Sequence, residues 1–285
     1  MPGARKAVVL IGALLALAGC FVRKRMVFVP GGHPNHPPLT ATKDQLIRRI
    51  HDMSDPIESF LMRVNMSPSS GGASKGMVTD YATFPGYVVY QRPRDIRVIG
   101  QDPVMNNTIF DMVSRGREFR IYIPSKKRFI AGDNQAPPRS KNQLENLRPS
   151  AFLTALMIDP PDPETDISIL EDDTSDTKAV YILLIVRRVG EEYRLVRNIY
   201  FDRYTLQIIR QKTFDPLGRM TSETQYSNWK GYGHTSFASD VDIKRPQENY
   251  EVQLNVINMK MNPPNVTSER FVLDQPPGTE LQEVR

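Results

Sequence analysis

Apolar and polar residues alternate with a period of two along much of the chain, which is typical of β-strands with one buried face. In segment 60–66 the even-numbered residues Phe60, Met62 and Val64 are apolar and alternate with a mixed set of odd-numbered neighbours. We therefore expect a strand here, with these three side chains facing the core.

Short apolar groups separated by Pro, Gly and Asp turns predict further strands along both halves of the chain. The pattern predicts hairpin-like pairs of strands in the first half and a long antiparallel meander in the second half. The main predicted strands lie at 77–83, 86–92, 95–100, 109–114, 117–123, 178–189, 193–202, 205–214, 219–229, 237–244 and 250–261, and shorter ones at 127–131 and 269–273. Such spacing predicts a mainly antiparallel β fold with a few helices.

The run from Ala179 to Val186 is apolar at every position. A strand of this kind is typical of a sheet that is covered on both faces. We therefore expect packing partners on both sides of it.

Two segments have helical periodicity. Thr42 followed three residues later by Gln45 resembles a capping box, and Leu46 and Ile50 lie on one helical face. These features predict a helix over 43–53.

A second helix is expected over 149–158, where Pro149 occupies a favourable first position. This helix carries more apolar side chains than one packed face requires. We predict that it forms a lid over the open side of the sheet, using Phe152, Leu153, Leu156 and Met157.

The first twenty residues have the layout of a secretory signal. Arg5 and Lys6 form a basic start, and an apolar run of about eleven residues follows, which is too short to span a membrane. Leu17-Ala18-Gly19-Cys20 resembles a lipobox, in which the cysteine becomes the acylated N-terminus. The expected modification is a covalent diacylglycerol and an N-acyl lipid on Cys20, the only cysteine, and no other cofactor is expected.

This layout divides the chain into a signal peptide at 1–19, a lipidated Pro/Gly-rich tether at 20–42 and one domain at 43–285. Phe21 follows the cysteine, so the aspartate that resembles an inner-membrane retention signal is absent. We expect a lipid-anchored protein of the cell envelope, most simply in the outer membrane facing the periplasm.

Charge gives little support for nucleic-acid binding. The formal net charge is +5, and basic residues are interspersed with acidic ones without a long basic run. This distribution is typical of a solvated surface.

The sequence also offers few groups for catalysis or metal binding. Of the four histidines, His33 and His36 fall in the tether, and only His234 lies beside predicted strand ends. No Gly-x-Ser-x-Gly motif is present, and the acidic segment 159–176 lacks the spacing of a calcium loop. We expect no enzyme activity and no metal site.

Two local patterns resemble the family of the periplasmic lipoprotein carrier and the outer-membrane lipoprotein receptor, LolA and LolB. The segment from Gly86 to Arg97 resembles the family's strand, arginine-proline turn and strand. Phe271 followed by Pro276-Pro277-Gly278 resembles its closing segment. The chain differs from the soluble, unlipidated carrier by its lipobox, and it is longer than the receptor.

The resemblance implies an α+β fold, an open half-barrel of about 11 strands with short helices as a lid. It further implies that an apolar cavity binds lipid or lipoprotein acyl chains. The candidate cavity or lid residues are Phe60, Met62, Val64, Phe152, Leu153, Leu156 and Met157.

Two functions remain open at this point. The protein either binds acyl chains during lipid or lipoprotein transport, or it is a non-enzymatic scaffold that docks another envelope protein. Several methionines suit an adaptable apolar cavity, as the first function requires, although methionine is used more often in ordinary cores.

Overall fold

The computed structural model describes residues 37–72, 76–134, 147–175, 177–233 and 235–284. The predicted signal peptide, Cys20, His33, His36 and His234 lie outside the described residues. The helices are α1 (Lys43–Ser54) and α2 (Pro149–Leu156), with short 3-10 helices at Pro124–Lys126 and Ser268–Phe271.

The strands comprise an early group, a central meander and a late group. They are β1 (Ser59–Gly72), β2 (Met77–Asp80), β3 (Phe84–Gln91), β4 (Asp95–Gln101), β5 (Thr108–Arg115), β6 (Glu118–Ile123), β7 (Arg128–Asp133), β8 (Asp166–Thr174), β9 (Ala179–Val189), β10 (Glu192–Asp202), β11 (Ile208–Phe214), β12 (Met220–Tyr232), β13 (Thr235–Arg245), β14 (Tyr250–Met261) and β15 (Glu280–Val284).

All these strands form one open sheet in the order β15-β7-β6-β5-β4-β3-β1-β14-β13-β12-β11-β10-β9-β8, and β2 pairs only with the end of β1. Neighbours are antiparallel except for β15 and β7, which are parallel. The mainly antiparallel open architecture is confirmed. The predicted number of about 11 strands is wrong, because the described residues contain 15.

Strand alternation divides the sheet into an inner face, which packs against the two helices, and an outer face. On β1, Phe60, Met62 and Val64 point inward and are fully buried. The predicted period of two is therefore correct, and it places one large core between the inner face and the helices.

Helix α1 begins where its capping box predicts. The Thr42 hydroxyl accepts a hydrogen bond from the Gln45 backbone N–H at 3.3 Å, and the Gln45 side chain accepts one from the Thr42 N–H at 2.8 Å. Leu46 and Ile50 are buried on the side facing the sheet. The residues that precede the helix also contact the domain, because the Leu39 N–H donates to the Arg203 carbonyl at 2.7 Å.

Helix α2 begins with Pro149 as predicted, and six of its eight residues are buried. Two side chains from the sheet fix its last turn. Gln211 Nε2 donates to the Thr154 carbonyl at 3.0 Å, and the Tyr226 hydroxyl donates to the Ala155 carbonyl at 2.8 Å. The helix therefore fills the inner face as part of the core, rather than covering it loosely from outside.

The C-terminal segment 262–279, which we call the strap, crosses the outer face of the first half of the sheet. Its apolar residues Val266, Phe271 and Leu273 form a second small core with outer-face side chains such as Val89 and Val113. The strand predicted at 269–273 is wrong, because Ser268–Phe271 is a 3-10 helix. The chain then forms β15, which the sequence did not predict.

Arg97 holds the strap against the sheet. Its guanidinium forms a bidentate ion pair with Asp111, with distances of 2.9 and 2.6 Å. It also donates to the Arg270 carbonyl at 2.8 Å. Arg97, the last residue of the family-like pattern, is thus a structural clamp on the outer face.

The prediction that β9 is covered on both faces holds fully only for the inner face. Inward side chains such as Leu183 and Ile185 are fully buried, and on the opposite face Ile182 is buried at 7% exposure while Leu184 and Val186 are partly exposed. Beside them, Ile167 and Ile169 of edge strand β8 are 47% and 53% exposed. This apolar outer-face strip lies at the end of the sheet that the strap does not reach.

Candidate functional site

A cavity lies at one end of the inner face, where β1, β4 and β6 end and β3 and β5 begin. Its floor is an edge-to-face aromatic pair, Phe84 and Phe110, with ring centroids 5.9 Å apart. Gly100 lies beneath both rings, and a Cβ there would be 2.6 Å from the Phe110 ring and 2.9 Å from the Phe84 ring. The aromatic floor therefore requires glycine at this position.

A β-bulge widens the cavity at the start of β5. Gln101 pairs with Thr108 and Gly100 pairs with Phe110, so Ile109 is the extra residue of the bulge. Both Ile109 and Phe110 consequently line the cavity, although consecutive strand residues normally point to opposite faces.

The cavity has a volume of about 240 Å³ and a mainly apolar wall. Among the described residues 13 line it, and 11 of these are apolar. They are Met66, Pro68, Phe84, Ile109, Phe110, Met112, Ile121, Ile123, Leu147, Phe152 and Val252, and the two polar ones are Ser125 and Lys126. Ser125 and Lys126 are exposed, so they mark the mouth of the cavity.

A buried arginine stands at the start of α2, beside the cavity. The Arg148 guanidinium lies 4.4 Å from the centre of the Phe119 ring, and it donates to the Leu147 carbonyl at 3.1 Å. Burial lowers the pKa of Arg148, and nearby Tyr250 and Glu248 oppose that shift. These contacts fix Leu147 and the helix start against the cavity wall.

The seven candidate cavity residues are distributed between this site and the core. Phe152 lines the cavity, and Leu153 is buried in the core. Leu156 and Met157 border a separate cleft of about 20 Å³, which has room for about one water molecule. That cleft is too small for an acyl chain.

The three candidates on β1 lie nearer the start of the strand and do not line the cavity. Phe60 stacks on Tyr90 with ring centroids 5.0 Å apart, and Met62 and Val64 are fully buried beside it. The next inward residue of the same alternation, Met66, does line the cavity. Alternation identified the correct face, but it did not identify which end of the face remains hollow.

An exposed loop adjoins the cavity between β4 and β5. Asp102 Oδ1 accepts hydrogen bonds from the Val104 and Met105 backbone N–H groups at 2.9 and 2.8 Å. These bonds lower the pKa of Asp102. The loop presents Val104 and Met105 to solvent, with 84% and 73% of each residue exposed.

The remaining titratable groups form no second site within the described ranges. His51 pairs with Asp55 on the surface at 3.0 Å, and no cluster of metal-ligating side chains occurs in that part of the chain. On the outer face, burial and the neighbouring Glu251 raise the pKa of Asp242 to about 7. None of the helices described is long and apolar enough to cross a membrane.

Comparison with known proteins identifies the fold. No protein-family model and none of the curated proteins matches the sequence. Among solved structures, a DUF1329 family protein from Desulfovibrio piger matches with a TM-score of 0.52 and 16% identity, over 80% of this chain and 94% of the other.

A LolA superfamily protein from Nitrosomonas europaea matches with a TM-score of 0.51 and 12% identity, over 82% of this chain and 99% of that one. The resemblance to the lipoprotein carrier and receptor family is thus confirmed at the level of the fold.

Proposed function

We propose that this chain, which has a LolA-like fold, is a lipid-anchored envelope protein that binds acyl chains of lipids or lipoproteins during their transport or sorting. The observation that carries the proposal is the cavity of about 240 Å³, in which 11 of the 13 lining residues that the structure describes are apolar. An apolar space of this kind stays poorly hydrated and favours an apolar guest.

The energetics are sufficient for reversible binding. Each buried methylene contributes about 0.8 kcal/mol, so a chain segment of roughly eight methylenes gains about 6 kcal/mol before entropy losses. The entropy lost on binding reduces this gain, so the resulting affinity is modest and permits both loading and release, as a transport or sorting protein requires.

The loop carrying Val104 and Met105 supports an encounter with lipid. Exposed apolar side chains at the tip of a hydrogen-bonded loop are costly in water and favourable in the interfacial region of a bilayer. The loop leads directly into Ile109 at the cavity. We propose that this end of the domain faces the lipid source.

The proposed location and chemistry follow from the sequence. The anchor is the acylated Cys20, and the protein resides in the cell envelope, with Phe21 favouring the outer membrane. We propose that the protein performs no catalysis and moves its ligand unchanged.

The test is a fluorescent fatty-acid titration of the mature chain carrying Cys20→Ser, which removes the competing attached lipid. Ile109→Trp is expected to fill the cavity and abolish saturable binding, while the fold remains intact by circular dichroism. The matched control is Ile257→Trp, at a position that is 52% exposed and away from the cavity. Equal binding by wild type and Ile109→Trp would refute the proposal.

A scaffold function is the second candidate, and the outer-face strip of Ile167, Ile169, Leu184 and Val186 favours it. Exposed apolar side chains beside an open strand edge are suited to docking another envelope protein. Organic extraction and mass spectrometry of the purified chain separate the two functions. A stoichiometric co-purifying lipid supports binding of acyl chains, and its absence favours the scaffold.

A further inference from the structure

Strand β8 forms one edge of the sheet. It pairs with β9 alone, and no other strand of the described residues lies along its free side. It runs for nine residues, Asp166–Thr174, without a proline, a lysine or a shift in register. Natural sheets usually protect an open edge with such features, because its unpaired backbone groups can bind another strand. The free side of β8 is therefore available for strand addition.

The charges on β8 do not oppose pairing with a second copy of the chain. Three of its four acidic side chains form ion pairs with cations of the same chain, which are Asp166 with Arg187, Asp172 with Arg203 and Asp173 with Lys178. The fourth, Glu171, is exposed, and its side chain forms no ion pair or hydrogen bond within the described part of the chain. One anion is thus left over near the end of the strand.

A cation is left over near the start of the strand, on the same outer face. Arg188 of β9 is exposed, and its N–H donates to the Thr165 carbonyl at 3.2 Å, just before β8 begins. Its guanidinium donates to the Gly190 carbonyl at 3.0 Å, and no carboxylate of the described ranges pairs with it. The half-exposed side chains of Ile167 and Ile169 lie between this cation and the leftover anion.

We propose that β8 binds β8 of a second copy of this chain, antiparallel and about a two-fold axis at Ser168. Directly opposite residues of an antiparallel pair lie on the same face of the sheet. Ile167 then lies opposite the partner's Ile169, and the axis repeats this contact. Four half-exposed isoleucines therefore cover one another, beside the remainder of the outer-face strip on β9.

The same axis brings the two leftover charges together. Thr165 lies opposite the partner's Glu171, and Arg188 is next to Thr165 on the neighbouring strand. Because a two-fold interface repeats every contact, two such ion pairs form. This complementarity favours a second copy of the chain over an unrelated strand. The cavity lies among strands well separated from β8 in the sheet, so the inference does not depend on acyl-chain binding.

Sedimentation velocity of the mature chain carrying Cys20→Ser, from about 1 to 100 µM, measures self-association. We expect a reversible equilibrium between monomer and dimer. Ile169→Lys is expected to raise the dissociation constant at least about 10-fold, because it places a charge among the isoleucines. Ile257→Lys is the matched control, since Ile257 is 52% exposed on β14, which is distant from β8 in the sheet.

Exchange of the two leftover charges tests the register. Glu171→Arg alone should weaken the dimer, because the new cation faces Arg188 of the partner subunit. Arg188→Glu alone should weaken it for the same reason with the opposite sign. The double variant restores opposite charges at both contacts and should recover the dissociation constant of the unsubstituted interface.

Ser168→Cys tests the position of the axis. Paired Cα atoms of an antiparallel ladder are about 4.5–5.5 Å apart, a separation that suits a disulfide. Mild oxidation should therefore link the two copies covalently. Glu171→Cys is the matched control, because Glu171 lies opposite Thr165 in this register and not opposite its own copy.

A chain that stays monomeric at about 100 µM would overturn the proposal. A dimer that Ile169→Lys leaves intact, or that Glu171→Cys cross-links as readily as Ser168→Cys, would show a different interface and overturn it as well. Sedimentation without an interface substitution and the cross-linking of Ser168→Cys do not use Ile169→Lys, so the test stands even if that variant misfolds.

Discussion

Replacing Gly100 with alanine should damage the cavity and leave the rest of the sheet intact. The added Cβ would lie 2.6 Å from the Phe110 ring and 2.9 Å from the Phe84 ring, although ordinary carbon contacts begin near 3.4 Å. Both rings must move, and the open direction is into the cavity. Overpacking of this kind costs about 2 kcal/mol.

In a domain of this size, about 2 kcal/mol lowers the melting temperature by roughly 6 °C. The displaced rings also occupy ligand space, so fatty-acid affinity should fall as well. Thermal unfolding and fatty-acid titration on the same samples measure both effects.

Gly231→Ala is the matched control, because a Cβ there meets no atom within 4 Å and Gly231 is absent from the positive-φ glycines. That substitution restricts the unfolded chain and should be neutral or stabilising by up to about 1 kcal/mol. If Gly100→Ala matched Gly231→Ala in both stability and binding, the account of the aromatic floor would be wrong.

Three further substitutions test the outer face and the anchor. Asp242→Asn should stabilise the fold by about 2 kcal/mol above pH 7, because the folded-state pKa of Asp242 is raised to about 7 and wild-type stability is therefore lost as pH rises through that value. Urea unfolding of both proteins at pH 5 and pH 8 measures how much the variant gains in free energy of unfolding. An equal gain at the two pH values would contradict the reasoning. Arg97→Met should cost about 3 kcal/mol by leaving the half-buried Asp111 carboxylate unpaired, and hydrogen exchange should accelerate in the strap; unchanged exchange there would contradict the clamp. Cys20→Ser should yield an uncleaved or soluble product in membrane fractionation, and a variant that still pellets after salt washing would disprove the lipid anchor.

Local sequence patterns predicted the elements that depend on local chemistry. The capping box at Thr42 and the proline at 149 located both helices, and alternation located the inner face of β1. The parallel strand β15 was missed, because its pairing with β7 is non-local and only Val284 among its residues is buried. A strand with one buried side chain does not show the alternation of apolar and polar residues from which a strand is predicted.

The cavity could be predicted only in part. Phe152 was identified from the excess of apolar residues on its helix, which is a local signal. Phe84 and Phe110 were missed, because they come from different strands and meet only where Gly100 leaves space. The bulge at Ile109 likewise depends on pairing with β4, which alternation within β5 does not report.

The strap makes the two halves of the sheet mechanically unequal. Strands β5 and β6 have cavity residues on one side, and on the other side Val113 and Tyr122 pack in the second core under the strap. Because close-packed side chains have low compressibility, the second core on the outer face of β5 and β6 resists outward movement of these strands when the cavity is filled. The cavity should therefore discriminate among ligands by the width of the chain, and it should accept a straight saturated chain more readily than a branched one.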